Sequence, residues 1–334
     1  MHAPTPLTIA GAGVYLPRER RASAELDRRF GQAEGWTETQ FGIRSRGVAA
    51  DDETTSFMAA RAAEAALAQA GWAATDINAL IGACGVMEQP IPGVSILVQE
   101  RLGLGRSGVW AFDVNQTCLS FLTALDVVAM GFSTGRFRRA LVVSSDIASA
   151  GLDWSNPASS AIFGDGAAAF CFEAADDPNG PALLSRGFES YGEGKDLATL
   201  RSGGTRLRIE EGLEALTAGA RFEMDAFGIF KAAARRLPPL VDRVLADAGL
   251  TRETVDLVIC HQASHPGVEH IRRLMGGDPQ RVIDIFADHG NQIAASLPTV
   301  LARAREAGRV RPGTTLLLLG TAAGISAGAV VLRA

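Results

Sequence analysis

Short runs of consecutive apolar residues, separated by longer stretches of helical periodicity, limit most strongly the folds that this 334-residue sequence can adopt. A run that is apolar at nearly every position predicts a strand buried on both faces. Helical periodicity is strongest at 56–71, 118–134 and 230–249, although Pro238-Pro239 is expected to kink or split the last helix. The pattern predicts an α/β protein with helices on both faces of its sheet. The apolar runs are 79–86, 139–146, 167–174, 256–263, 315–320 and 327–334.

The two halves of the sequence resemble each other. LAQAGWAATDINALIGAC (67–84) and LADAGLTRETVDLVIC (245–260) both contain a helix end, an Ala-Gly pair, a loop with Thr and Asp, and an apolar strand that ends on Cys. Segment 175–217 is polar and rich in Gly and Pro, which is typical of a connection. We therefore predict one body made of two duplicated halves, 1–174 and 175–334.

Composition excludes several classes of function. A net charge of −5 without a long basic run gives no indication of nucleic-acid binding. The sequence has neither a signal-peptide pattern at its start nor an apolar stretch of about 20 residues, so we expect a cytoplasmic protein without a membrane partner. The cysteines lack CxxC or metal-site spacing, which favours free thiols and no bound metal. They are Cys84, Cys118, Cys171 and Cys260.

Three short motifs resemble functional signatures but lack the context that those signatures need. GISAG (324–328) matches a nucleophile elbow, yet the six residues after it cannot supply the helix and the downstream His that a serine hydrolase requires. GAGVYLP (11–17) lacks the third Gly of a dinucleotide fingerprint and contains Pro17. GDG (164–166) is interpreted as a turn. No dinucleotide cofactor is expected.

Three separate residues could form one catalytic site. Cys118 precedes a predicted helix, His261 follows a buried strand, and Asn291 lies between Gly290 and another helix. Individually they could be a small buried thiol, a structural imidazole and a helix N-cap. Ligands of α/β proteins gather beyond the carboxyl ends of strands, where all three residues are expected. A thiolate nucleophile with two hydrogen-bond donors would suit thioester chemistry, with the donors stabilising an enolate or oxyanion.

The motifs FDVNQTCLSF, CHQAS, DHGNQIAASLP and GTAAGISAGAVVLRA occur in an order and spacing that resemble the β-ketoacyl-acyl-carrier-protein synthase III family of the thiolase superfamily. The resemblance extends over nearly the whole chain. It implies a five-layered αβαβα fold of two duplicated halves and a tight homodimer. It also implies acyl-coenzyme A or acyl-carrier-protein substrates, without a further cofactor.

The resemblance also implies roles for individual residues. Cys118 would accept the acyl group, and His261 and Asn291 would promote decarboxylation and stabilise the enolate. The backbone N–H groups of Cys118 and Ala323 would form the oxyanion hole, where family members usually have a glycine triplet. Substrate-binding positions would be Trp36 against the adenine, Ile91 at the partner's acyl pocket, Ser264 and Gly324. The basic positions that would receive the carrier protein are Lys231, Arg272 and Arg273.

Several positions depart from the family pattern. Gln40, Ala150 and Pro266 stand where the initiating enzymes usually have Arg, which predicts weaker binding of coenzyme A phosphates and a specialised relative. The retained Cys, His and Asn favour carbon–carbon condensation with a malonyl- or β-ketoacyl-thioester. Two alternatives are acyl transfer to an alcohol or amine, with His261 as general base, and a non-catalytic partner subunit. Acyl chain length, the donor carrier, and fatty acid versus polyketide biosynthesis are left open.

Overall fold

Each of the six apolar runs contains a strand in the computed structural model, which describes residues 3–334, although runs 79–86 and 256–263 are strand over only four residues each. In this part of the chain no helix is long and apolar enough to cross a membrane. The strands are β1 (Thr5–Tyr15), β2 (Glu19–Ala22), β3 (Ser45–Val48), β4 (Ala79–Gly82), β5 (Trp110–Asp113), β6 (Arg139–Asp146), β7 (Gly166–Ala174), β8 (Ala182–Ser190), β9 (Ala198–Thr199), β10 (Glu223–Met224), β11 (Leu257–Cys260), β12 (Thr315–Ala322) and β13 (Ser326–Arg333). The helices are α1 (Ser23–Arg29), α2 (Trp36–Phe41), α3 (Thr55–Ala70), α4 (Val94–Arg101), α5 (Ser120–Ser133), α6 (Pro157–Ser160), α7 (Leu213–Gly219), α8 (Ala226–Asp247), α9 (His265–Leu274), α10 (Phe286–His289) and α11 (Ser296–Glu306).

The large sheet repeats one strand arrangement. Its order is β11-β12-β13-β8-β1-β7-β6-β4-β5, and the two halves meet where β1 pairs with β8. In the first half β4 is parallel to β5 and β6, and β7 runs antiparallel between β6 and β1. In the second half β11 is parallel to β12, and β13 runs antiparallel between β12 and β8. The predicted duplication is confirmed, whereas the division after Ala174 stays a prediction.

Each half of the sheet packs apolar side chains against helices on both of its faces. Because the two halves share the central helices, the chain forms five layers. One core joins α5 and α11 to strands of both halves, so these two helices form the central layer. A second core lies between α3 and the first-half strands, and a third between α8 and the second-half strands. Within β12, Leu316 and Leu318 belong to the central core while Leu317 and Leu319 face α8. Both faces of the strand are therefore apolar, as its continuous run predicted.

The GAG motif near the start of the chain serves helix packing. Gly11 and Gly13 lie within β1, directly under α3. A Cβ atom on either glycine would lie 2.2 Å from a backbone oxygen of that helix, at Ala66 or Ala62. These glycines therefore allow a close approach of helix to strand rather than forming a phosphate loop.

Pro238-Pro239 was expected to kink or split its helix, and the split does not occur. α8 continues through both prolines, from Ala226 to Asp247. Two interior prolines cost about 3 kcal/mol or more each through lost hydrogen bonds and steric clash. Burial of a Leu or Val side chain contributes about 1.5 to 3 kcal/mol, and five such side chains offset that cost. They are Leu237, Leu240, Val241, Val244 and Leu245.

Candidate active site

Cys118 lies in a tight turn that leads into α5. The turn, Thr117–Leu119, is a single 3-10 turn, and Thr117 has φ of +48°, which is unusual for a β-branched residue. Local hydrogen bonds hold this backbone. Asn115 Oδ1 accepts from the Thr117 N–H at 2.9 Å, and the Ser120 hydroxyl donates to the Thr117 carbonyl at 2.7 Å. The half-buried thiol is thus presented by a fixed backbone.

The environment of Cys118 favours the protonated thiol. Burial raises its pKa to about 12, and the negative charge of Asp146 acts in the same direction. A hydrogen bond from its own backbone N–H acts in the opposite direction but is the weakest of the three effects. Desolvation is therefore the largest effect on the ionisation of this thiol.

His261 follows β11 and is held as a neutral imidazole. Its backbone N–H donates to the Leu319 carbonyl of the neighbouring β12 at 2.9 Å. The residue is only 8% exposed, and burial lowers its pKa to about 4. Nδ1 is buried, and no group within residues 3–334 forms a hydrogen bond with it. An orphaned N–H is less favourable than an orphaned lone pair, so the proton belongs on Nε2, which can then donate.

Asn291 is fixed at both its backbone and its side chain. Its N–H donates to Ile162 at 2.8 Å, and its carbonyl accepts from Gly164 at 3.1 Å. The Oδ1 atom accepts from the Ile293 N–H at 2.9 Å, an Asx-type turn rather than a cap on α11. Because Oδ1 is engaged in this way, the Nδ2 amide group is the end left to donate to a ligand.

The three residues lie on elements that contact one another. The turn Thr117–Leu119 contacts β12 and also the turn Ile293–Ala295, which follows Asn291. Gly320 of β12 lies between His261 and Leu119, the residue that follows Cys118. A Cβ atom built on Gly320 would be 2.7 Å from Cβ of His261 and 3.1 Å from a methyl group of Leu119. The fold therefore brings the nucleophile candidate and both donor candidates to one end of the sheet.

Ala323, Gly324 and Ile325 form the hairpin turn between β12 and β13. Gly324 has φ of +137°, which favours glycine. The hairpin is tied to the chain after β8, since Tyr191 exchanges two backbone hydrogen bonds with Ile325 at 2.7 and 3.0 Å. The turn that contains Ala323, the predicted oxyanion position, is therefore held in place by hydrogen bonds to Tyr191.

Comparisons with known proteins identify the family. A family model described as 3-oxoacyl-[acyl-carrier-protein (ACP)] synthase III matches residues 112–192, and the model of its C-terminal part matches 245–334. The β-ketoacyl-[acyl-carrier-protein] synthase III of Dinoroseobacter shibae is 34% identical over 97% of this chain and 98% of that protein. The chain belongs to the β-ketoacyl-acyl-carrier-protein synthase III family.

Solved structures agree with this membership of the synthase III family. The 3-oxoacyl-(acyl carrier protein) synthase III of Pseudomonas aeruginosa superimposes with a TM-score of 0.88 at 30% identity, covering 98% of both chains. A priming β-ketosynthase of a polyketide biosynthetic pathway gives a TM-score of 0.87 at 27% identity, covering all of this chain and 98% of the other. The thiolase-like fold predicted from the motifs is confirmed.

The remaining substrate positions of this synthase III relative lie in varied surroundings. Trp36 begins α2, half-buried between the rings of Phe30 and Phe41, with centroids 6.3 and 5.5 Å away. Ile91 is 85% exposed. Ser264 caps α9, and its hydroxyl oxygen accepts from the Gly267 N–H at 3.2 Å. That oxygen already serves the helix, so only the hydroxyl proton of Ser264 is left for a ligand.

The three basic positions predicted to bind a carrier protein are not equivalent. Lys231 on α8 and Arg273 on α9 are exposed, and no ion pair holds either one among residues 3–334. Arg272 instead pairs with Glu269 and lies 3.4 Å from Asp284. Two carboxylates therefore offset the charge of Arg272. Lys231 and Arg273 supply most of the positive charge that these three positions offer to a carrier protein.

Asp146 is not among the predicted site residues, although it ends the buried strand β6 beside the candidate site. Its side chain is completely buried. β6 also contains Arg139, Ser144 and Ser145, so Asp146 is not its only polar or charged residue and no local pattern distinguishes it.

Proposed function

We propose that this protein is an acyltransferase that forms an acyl-enzyme on Cys118 and condenses it with a malonyl- or β-ketoacyl-thioester. In this respect it would act like 3-oxoacyl-acyl-carrier-protein synthase III. The observation that carries the proposal is the pairing of a neutral, buried His261 with an Asn291 whose Oδ1 is already engaged. Both side chains can therefore donate a hydrogen bond, and both are uncharged. The chain also belongs to the synthase III family.

In the first half-reaction the sulfur of Cys118 attacks the carbonyl carbon of an acyl thioester. The bond to the carrier thiol breaks, and the proton of the Cys118 thiol passes to the departing sulfur. The transient oxyanion would be held by the backbone N–H groups of Cys118 and Ala323. Because burial keeps the pKa of Cys118 high, the free thiol should react slowly until a thioester occupies the site.

In the second half-reaction a malonyl thioester loses carbon dioxide, and its C2 carbon becomes an enolate carbon nucleophile. The enolate oxygen would accept hydrogen bonds from Nε2 of His261 and Nδ2 of Asn291. The new carbon–carbon bond forms at the acyl carbon, and the released Cys118 sulfur takes up a proton. The product is a β-ketoacyl thioester.

The properties of His261 favour condensation over acyl transfer to an alcohol or amine. A general base is most effective when its pKa lies near the working pH. A pKa of about 4 makes His261 a weak base but leaves it a neutral donor. A non-catalytic partner subunit would not need all three retained groups.

The proposal extends to a homodimer. β5 is an edge strand of the large sheet, and its Trp110 is 48% exposed. Ile91 is also exposed, in the loop that precedes α4, the helix packed against β5. Exposed apolar side chains beside an open sheet edge favour pairing with a second copy. Acyl groups would arrive on coenzyme A or a carrier protein, with no further cofactor.

A product assay tests the proposal. Purified protein is mixed with acyl-coenzyme A or acyl carrier protein and malonyl carrier protein, and carbon dioxide and β-ketoacyl product are quantified. His261→Ala and Asn291→Ala should keep acylation of Cys118 while condensation falls about 10² to 10³-fold, the usual effect of losing one oxyanion donor. An acylated alcohol or amine without carbon dioxide would instead support acyl transfer. Absence of any product would support the non-catalytic alternative.

A further inference from the structure

Asp146 is a buried carboxylate whose hydrogen-bond partners are backbone N–H groups. Its side chain is fully buried, and no Lys, Arg or His forms an ion pair with it among residues 3–334. Three backbone N–H groups satisfy it instead. Oδ1 accepts from Gly85 at 2.8 Å and Val86 at 2.6 Å, and Oδ2 accepts from Ala295 at 3.1 Å. Isolated buried charges are costly, so the fold keeps this one against a considerable desolvation penalty.

The three hydrogen bonds join segments that are distant in sequence. Gly85 and Val86 follow β4, whereas Ala295 ends the turn after Asn291, 149 residues from Asp146. Gly85 itself lies between the two turns of the candidate site. A Cβ atom on it would be 2.4 Å from Cγ2 of Ile293 and 3.3 Å from the carbonyl carbon of Thr117. The carboxylate thus holds together the backbone on both sides of this contact.

Both turns contain a β-branched residue with positive φ. Thr117 has φ of +48° and Ile293 has φ of +53°. Such backbone conformations cost of order 1 to 3 kcal/mol each and persist only where the surroundings enforce them. Thr117 directly precedes Cys118, and Ile293 binds the Asn291 side chain through its N–H. Any loosening of these turns would therefore move the nucleophile relative to the enolate donor.

We propose that Asp146 is a positioning residue whose carboxylate clamps the Gly85–Val86 segment to the Asn291 turn and thereby sets the distance between Cys118 and Asn291. The catalytic consequence rests on the proposed condensation. The clamp itself is a property of the folded chain. It can be tested without substrate.

The charge of Asp146 provides an independent readout. It raises the pKa of Cys118, and also that of Cys84, which is buried nearby. Burial in turn raises the pKa of Asp146 to about 7, although its backbone hydrogen bonds act in the opposite direction. Among residues 3–334, these two thiols are the titratable groups whose pKa the charge of Asp146 raises. Removing the charge should make Cys118 ionise at lower pH.

The test compares Asp146→Asn with Asp165→Asn. The amide of Asp146→Asn must direct an NH2 group at one of the three N–H donors, which breaks the clamp but preserves shape. Asp165 is an equally buried carboxylate with backbone partners at Ala49 and Ser149, but it does not act on the pKa of Cys118. It therefore controls for the loss of a buried carboxylate.

For Asp146→Asn we expect iodoacetamide to alkylate Cys118 faster than in wild type at each pH, measured by intact mass with Cys84→Ala as background. We also expect condensation to fall about 100-fold, the effect of roughly 1 Å of misplacement. Asp165→Asn should leave the alkylation profile unchanged. Identical alkylation profiles for both variants would overturn the proposal. If wild type itself condenses nothing, the proposed function fails, and amide hydrogen exchange at Gly85, Val86 and Ala295 still tests the clamp.

If Asp146→Asn does not fold, the wild-type protein supplies the test through amide hydrogen exchange. Acidification below pH 7 protonates Asp146 and should weaken protection of the Gly85, Val86 and Ala295 amides after correction for intrinsic exchange. Burial also raises the pKa of Asp165, but hydrogen bonds from Ala49 and Ser149 and the charge of the Arg46 guanidinium oppose that shift, so the Ala49 and Ser149 amides should change less. Equal loss of protection in both sets would overturn the proposal.

Discussion

Replacing Gly320 by alanine would insert one methyl group between the stem of His261 and the residue after Cys118. The new Cβ would lie 2.7 Å from Cβ of His261 and 3.1 Å from a terminal methyl of Leu119. Carbon atoms prefer a separation of about 3.5 to 4.0 Å, so the first contact is short by roughly 1 Å. The Leu119 methyl can rotate away, but the His261 Cβ moves only with its backbone.

The same hairpin offers a matched control. Gly328 is the cross-strand partner of Gly320 and is also buried. A Cβ atom there would meet the ring of Phe188 at 3.0 Å and Leu119 at 3.3 Å, without a close contact to His261. Both substitutions overfill the same core region, for which about 1 to 3 kcal/mol of destabilisation is expected.

Catalysis should distinguish the two variants. We expect Gly320→Ala to reduce condensation about 100-fold through displacement of His261, while acylation of Cys118 changes much less. Gly328→Ala should retain both half-reactions within a few-fold. Urea unfolding measures the stability cost, and separate assays follow acyl-enzyme formation and β-ketoacyl product. Equal loss of condensation in both variants, or wild-type condensation by Gly320→Ala, would refute the placement of His261 in the reaction.

The pKa of about 12 predicts that iodoacetamide alkylates Cys118 with a rate that rises about tenfold per pH unit from pH 8 to 10; a plateau near pH 9 would contradict this. For His261, the unfolded chain takes up a proton between pH 6.5 and about 4 that the folded chain does not. Stability should therefore fall by about 3 kcal/mol on acidification through that window, and His261→Gln should flatten the urea-unfolding profile by that amount; parallel profiles would refute it. In titration calorimetry, Arg273→Glu should weaken binding of acyl carrier protein more than Arg272→Glu, because two carboxylates already offset the charge of Arg272. A larger loss of affinity in Arg272→Glu would contradict this prediction.

Local sequence patterns predicted most of the fold because the apolar pattern of neighbouring residues indicates which strands and helix faces are buried. β6 and β7 begin and end at or within one residue of their predicted positions. The continuation of α8 through Pro238-Pro239 was not predictable locally. It depends on burial of the helix face against β8 and β13, which lie far away in the sequence.

Candidate site residues divide in the same way. Cys118, His261 and Asn291 stand out because their residue types follow strands or precede helices, where a sequence pattern is informative. Asp146 did not, since its partners Gly85 and Ala295 lie 61 and 149 residues away. The carboxylates that offset Arg272 include one from beyond its own helix, at Asp284. Such long-range pairing leaves no short-range pattern in the sequence.

The central claim, that Cys118 carries an acyl group, is tested most directly by intact-protein mass spectrometry. The protein is mixed with short-chain and long-chain acyl-coenzyme A, and with the corresponding acyl carrier proteins, beside Cys118→Ala. We predict an added mass equal to one acyl group in wild type and none in the variant. An adduct that persists in Cys118→Ala, or no adduct from any donor, would contradict the account.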